Sequence, residues 1–152
     1  MSAQLLFIGR IRTPYRTLEA CPRNIQVEGP ACTLQLKPEY REELRGLRVG
    51  QKVLVLYWLG DRRDVVEPDL SPPRWKRMSQ ASESGLFAMR TPFRPNPIGA
   101  AVVPIDAIGE GSLTIRGLDC LDGTALLDIK PAIYRETGAW ECEPGTDQIS
   151  TD

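Results

Sequence analysis

Gly99-Ala-Ala-Val-Val-Pro-Ile-Asp-Ala-Ile-Gly-Glu-Gly-Ser-Leu-Thr-Ile-Arg-Gly-Leu-Asp-Cys-Leu-Asp-Gly-Thr-Ala-Leu-Leu-Asp-Ile-Lys-Pro131 decides the fold class of this chain. Residues 99–108 are a run rich in Ala, Val and Ile, the composition of a strand packed on a core. Residues 112–118 alternate, with Leu113 and Ile115 on one side and polar neighbours on the other. Asp122-Gly123 is a strong hairpin-turn signal, because such turns need a positive φ that glycine adopts without steric cost. Residues 125–133 then read as a further strand. Strands this short, separated by turn signals and not by helices, predict an antiparallel sheet.

The same pattern continues upstream. Residues 5–12 and 33–36 read as strands, and the apolar run Val53-Leu-Val-Leu-Tyr-Trp-Leu59 within 52–59 predicts a buried central strand. Residues 38–47 are the best helix candidate: Pro38 suits a first turn, acids lie early, and Arg45-Gly46 suits an end. Residues 60–80 carry Pro68, Pro72 and Pro73 and predict a long irregular segment, a kind of segment that often carries function. Residues 86–89 read as a short strand. The sum is a mainly β fold, an antiparallel barrel or sandwich with one or two short helices.

Composition narrows the function. A chain of 152 residues suits one domain, taken as 1–140, with a patternless acidic tail at 141–152 that is expected to fray. A net charge of −1 argues against a dedicated non-specific nucleic-acid binder but leaves room for a local basic patch. Such a patch exists between 62 and 94, where Arg62, Arg63, Arg74, Lys76, Arg77, Arg90 and Arg94 outnumber Asp64, Glu67, Asp69 and Glu83. No apolar run approaches the roughly 18 residues of a membrane span. Cys21, Cys32, Cys120 and Cys142 lack zinc-like spacing, so no metal is expected and the thiols read as reduced, in a cytoplasmic protein. The chain has no histidine, which excludes a Ser-His-Asp triad, an HExxH zinc site and imidazole acid/base chemistry. Gly109-Glu-Gly111 has Thr114 where a dinucleotide fingerprint needs its third glycine. Catalysis must rest on carboxylates, Tyr, Lys, Arg, Cys, backbone groups or a cofactor.

Two constellations carry candidate chemistry. In Gly85-Leu-Phe-Ala-Met-Arg-Thr-Pro-Phe-Arg-Pro-Asn-Pro-Ile-Gly99, prolines at 92, 95 and 97 fix φ, remove donors and hold the preceding residues extended. A stiff loop loses little further entropy on ordering around a ligand, and Arg90 and Arg94 offer charged forks for a carboxylate or phosphate. In residues 117–131, Gly123 lets backbone groups approach a ligand, while Asp119 and Asp128 flank the turn as carboxylates able to bind an amine or accept a proton. Arg74-Trp-Lys-Arg77 mixes stacking and phosphate-binding residue types, as a nucleic-acid contact would.

These segments resemble the TsaA-like (TrmO) family. The block 85–99 is close to that family's G-x-F-A-T-R-S-P-x-R-P-N-P-I-G signature, 118–131 resembles L-D-x-x-D-G-T-P-x-x-D-I-K-P, and Ile8-Gly-Arg-Ile-Arg-Thr-Pro-Tyr15 fits its first strand. The resemblance spans roughly residues 5–134. It implies a small antiparallel β-barrel that binds S-adenosylmethionine without a Rossmann fold, as a homodimer. It further implies methylation of the exocyclic amine of threonylcarbamoyl-adenosine beside the tRNA anticodon. By position, Phe87, Arg90, Arg94, Asn96 and Ile98, then Leu121, Asp122 and Gly123, and also Pro22, Arg23 and Asn24, are the implied cofactor contacts. Met89 and Ala125 depart mildly from the signatures, and Gly60-Asp61 stands where longer members often carry a His-containing pair.

In such a transfer the amine must shed a proton, and Asp122 and Tyr134 are the expected acceptors. Arg74, Trp75, Lys76 and Arg77 are the expected tRNA contacts. Two alternatives stand beside this reading: the same pocket methylating another acceptor, and a non-catalytic S-adenosylmethionine- or RNA-binding module.

Overall fold

The computed structural model describes residues 2–62, 65 and 71–133 of the chain. Seven strands form one sheet: β1 (Gly9–Arg12), β2 (Ala31–Leu36), β3 (Lys52–Trp58), β4 (Ile98–Pro104), β5 (Ala107–Gly109), β6 (Ser112–Arg116) and β7 (Thr124–Pro131), in the order β4-β3-β7-β1-β2-β6-β5. All ladders are antiparallel. The expected mainly β class holds, with one difference: no ladder joins β4 to β5, so the sheet is not a closed barrel. These two edge strands are consecutive pieces of chain linked by Ile105-Asp106, so the sheet must curl for one end to reach the other. Asp106 N donates to Thr114 O at 2.7 Å, carrying the β5–β6 pairing back into that link.

The alternation read from sequence packs the inside of the curl. Ile11, Leu34, Val53, Val55, Leu113, Ile115, Leu118 and Leu126 are fully buried there. β3 is not buried on both faces: Val53, Val55 and Tyr57 point inward, while Leu54, Leu56 and Trp58 are half-buried on the outside. A single curled sheet has only one dry face, and the expected central strand obeys that rule.

Several local expectations change. Asp122-Gly123 does not close a hairpin, because β6 pairs with β2 and β5 whereas β7 pairs with β1 and β3. The tight hairpin is instead Glu110-Gly111, between β5 and β6, where Gly109 faces Ser112. Residues 86–89 form a 3₁₀ turn, Leu86–Ala88, held by Ala88 N to Gly85 O and Met89 N to Leu86 O. The segment 60–80 is not irregular throughout, since Arg74–Gln80 forms helix α1 behind Pro73, a residue that suits a helix start. The helix expected at 38–47 is a 3₁₀ segment, Pro38–Leu44, and the first strand starts at Gly9.

Strand polarity sorts the connections. The segments 13–30, 59–97 and 117–123 all leave the same end of the sheet, where Arg12, Ala31, Trp58, Ile98, Arg116 and Thr124 begin or finish their strands. The opposite end carries Glu110-Gly111 and the 3₁₀ segment, with a groove of about 460 Å³ between Ile8, Tyr40, Leu44, Leu47 and Ile129, whereas Ile105-Asp106 is a bend between β4 and β5, which run the same way.

Candidate functional site

Apart from Asp128, which lies within β7 and lines the groove at the opposite end, the sequence-predicted site residues of the described chain lie on those three connections or at a strand end beside them. Tyr134 and the tail 141–152 lie outside the described residues. Hydrogen bonds tie the first connection to the third. Gln26 N donates to Gly117 O at 2.8 Å, Gly117 N to Pro30 O at 3.0 Å, and Asp122 N to Tyr15 O at 2.7 Å. Thr13 Oγ1 donates to Cys120 O at 2.9 Å in a buried position.

Leu121, Asp122 and Gly123 form the outer turn of the third connection. Gly123 has a φ of 86° and open space where a Cβ would stand, so the backbone here is accessible from outside. Its N–H donates to Ile11 O and its carbonyl accepts from Arg10 Nη1 at 3.0 Å. The Asp122 carboxylate is already engaged: Oδ1 accepts Thr13 N–H at 3.0 Å and lies 3.4 Å from Arg12 Nε. It therefore fastens the turn to β1. Asp122→Ala is expected to cost about 1–3 kcal/mol by orphaning a buried donor, and Asp122→Asn much less; urea unfolding checks both.

The proline loop brings Arg90 and Arg94 to the site in different ways. Arg94 Nη1 donates to Met89 O at 3.0 Å and Thr91 O at 3.1 Å, so this guanidinium braces its own loop. Arg90 Nη2 donates to Ala100 O at 2.8 Å on β4, and its charge bears on Asp119. Phe87, Asn96 and Ile98 are exposed, Phe87 at 86%. Arg74 packs its guanidinium 3.8 Å from the centre of the Phe93 ring, joining α1 to the proline loop. A cleft of about 200 Å³ opens there between Pro73, Arg74, Trp75, Phe93, Arg94 and Pro95. Lys76 and Arg77 are exposed on α1; Pro22, Arg23 and Asn24 lie on an irregular stretch at the same end of the sheet.

One pair was not legible as a unit. Tyr57, whose side chain is 2% exposed on β3, donates its hydroxyl to Asp119 Oδ1 at 2.9 Å. Gly99 makes room for it: a Cβ there would stand 2.2 Å from the ring. Burial pushes the Asp119 carboxyl above its usual range, opposed by the Tyr57 hydroxyl and by Arg90 and Arg62. Burial also pushes the Tyr57 phenol up, so it stays protonated as a donor. Asp119 was visible as a candidate in sequence, but Tyr57 read only as part of an apolar run. The available signal was that a buried tyrosine hydroxyl demands a partner; nothing local says which.

The family model for the tRNA-methyltransferase O N-terminal domain matches residues 10–136. The chain belongs to that family. VirR of Rhizobium radiobacter, whose name points to S-adenosyl-L-methionine binding, is 42% identical over 130 residues, covering 85% of this chain and 70% of VirR. An S-adenosyl-L-methionine-binding protein of Archaeoglobus fulgidus is 32% identical over 123 residues, 81% of this chain and 84% of that protein. A crystal structure of TrmO superposes with a TM-score of 0.70 at 30% identity, covering 95% of this chain. The chain spans 64% of the length of that TrmO structure. At Gly60 a Cβ would stand 2.5 Å from the Trp58 indole, which takes the room a larger side chain would use.

The residues fit a sulfonium donor. Open space outside Gly123, exposed apolar Phe87 and Ile98, and a loop whose prolines present carbonyls without N–H groups are residue types that suit an adenine and a cationic centre. Among the described residues no group of three or more His, Cys, Asp or Glu could hold a metal ion, and no helix is long and apolar enough to cross a membrane.

Proposed function

We propose that this chain is an S-adenosylmethionine-dependent methyltransferase acting on the exocyclic amine of threonylcarbamoyl-adenosine beside the anticodon of tRNA. The observation that carries the reading is the gathering of the 13–30, 59–97 and 117–123 connections at one end of the sheet, on a chain of the TrmO_N family. Phe87, Arg90, Arg94, Asn96, Ile98, Leu121, Asp122 and Gly123 hold the donor, with Pro22, Arg23 and Asn24 at its margin. Arg74, Trp75, Lys76 and Arg77 meet the tRNA backbone and bases. The active form is a cytoplasmic homodimer, and 1–140 is its folding unit.

S-adenosylmethionine supplies a methyl group already activated on a sulfonium. The protein's own task is alignment, exclusion of water and removal of one proton. The braced proline loop is suited to alignment, because Arg94 and three prolines hold its backbone before any ligand arrives.

Thermal unfolding with S-adenosylmethionine tests the donor first. At about 100 times its dissociation constant it is expected to add about 2.7 kcal/mol, seen as a rise of several degrees. No rise in folded protein would count against donor binding. Nucleoside analysis of tRNA from a host lacking the protein tests the acceptor: the methylated nucleoside is expected to be missing, and its persistence would send the activity to another acceptor.

A further inference from the structure

We propose that Asp119 is the proton acceptor for the attacking amine, positioned by the Tyr57 hydroxyl. The inference rests on the methyltransferase reading and adds to it a catalytic residue and its orienting partner.

Three features set Asp119 apart from Asp122 and Asp128. First, it is held. Its neighbour Cys120 is fixed by Thr13 Oγ1, Gly117 by Gln26 and Pro30, and its own Oδ1 by Tyr57. Second, Tyr57 takes only Oδ1, and among the described residues no side chain hydrogen-bonds Oδ2. Asp122, by contrast, is committed to Thr13 and Arg12, and Asp128 lies 3.4 Å from Lys130 Nζ and accepts Ile129 N–H. Third, Asp119 shares its surroundings with Arg90, which leads into the proline loop, and with Arg62, which follows β3. It therefore sits where the second and third connections meet.

The chemistry balances. The amine nitrogen forms a bond to the methyl carbon as the carbon–sulfur bond breaks, and that electron pair leaves on sulfur as a neutral thioether. The N–H proton passes to Asp119 Oδ2, giving a neutral carboxyl that returns the proton to solvent after product leaves. A partly desolvated carboxylate is a stronger base than one in water, which favours this transfer. The groups facing it are Tyr57 from β3, Cys120 from its own connection, and Arg90 and Arg62. Burial keeps Tyr57 and Cys120 protonated, so Asp119 is the carboxyl among these groups that changes state in the acid range.

The folded-state value is raised above the unfolded one, so the folded chain holds the proton more tightly. Ionised Asp119 thus works against folding at pH values above that raised value, and the opposition disappears below the unfolded value of about 3.9.

The test uses the full chain, S-adenosylmethionine and threonylcarbamoylated tRNA, with Asp119→Asn and Tyr57→Phe. Asp119→Asn is expected to unfold at pH 7 at the same or higher urea concentration than wild type. It should bind donor within about threefold by calorimetry and lower single-turnover transfer by about 100-fold or more. The wild-type acid limb of the pH–rate profile should flatten in Asp119→Asn. In Tyr57→Phe the limb should move to higher pH, because the hydroxyl that lowers the Asp119 value is gone. Transfer by Asp119→Asn within threefold of wild type would overturn the inference, as would donor affinity falling in step with rate. If Asp119→Asn does not fold, an unmoved limb in Tyr57→Phe overturns it alone. Wild-type protein that transfers no methyl to this tRNA would instead remove the underlying reading, and the inference with it.

Discussion

Gly117→Ala is expected to destabilise the fold by about 2–4 kcal/mol, combining a left-handed backbone with a backbone clash. Gly117 has a φ of 78°, which an L side chain rarely adopts, and a Cβ there would stand 1.6 Å from Gln26 O. That oxygen belongs to main chain, so it cannot swing aside as a side-chain tip would. The same residue exchanges hydrogen bonds with Gln26 and Pro30, joining the first connection to the third. Separating them displaces the turn at Leu121–Gly123 from Pro22–Asn24. Urea unfolding should show the loss, and calorimetry on the remaining folded protein should show donor binding weakened at least tenfold. Unchanged binding would mean the first connection takes no part in the donor pocket.

Leu126→Ala is expected to cost about 3–5 kcal/mol, the range for emptying a fully buried leucine site. Leu126 is 0% exposed and lies on β7, which pairs with β1 on one side and β3 on the other. Neighbours on a hydrogen-bonded sheet cannot close in on the void, so little of it is recovered. Against a typical total of about 5–15 kcal/mol, this single change brings the chain near the edge of folding at 37 °C. Donor affinity per folded molecule should nonetheless stay near wild type, because Leu126 lies under the sheet and not in its connections. The two variants together separate loss of fold from loss of site: comparable destabilisation, with binding lost only in Gly117→Ala.

The strands were legible because their evidence is local. Side chains alternate every two residues, so Leu113, Ile115, Val53 and Val55 announce an inward face without reference to any partner. The hairpin at Asp122-Gly123 misread for the opposite reason. Its dipeptide permits a turn, but whether two strands pair depends on which edges are free, and β2 and β5 already flank β6. α1 was hidden by the prolines before it, which stop a helix at 73 yet allow one to begin there. The site residues were found as motifs, and their roles divided only in space. Arg94 also braces its own loop and Asp122 also fastens a turn, roles that no local sequence signal announces.

By itself, the sequence determined the mainly β class, the stiffness of the 91–97 loop, the absence of imidazole chemistry and the family. All of these follow from residue type and short-range spacing. Tertiary structure alone decided that the three long connections share one end, that the sheet curls without a closing ladder, and that Tyr57 meets Asp119. The reason is distance along the chain: 62 residues separate that pair. Only the β3–β7 and β3–β4 ladders, with Gly99 leaving space for the ring, bring the hydroxyl to the carboxylate.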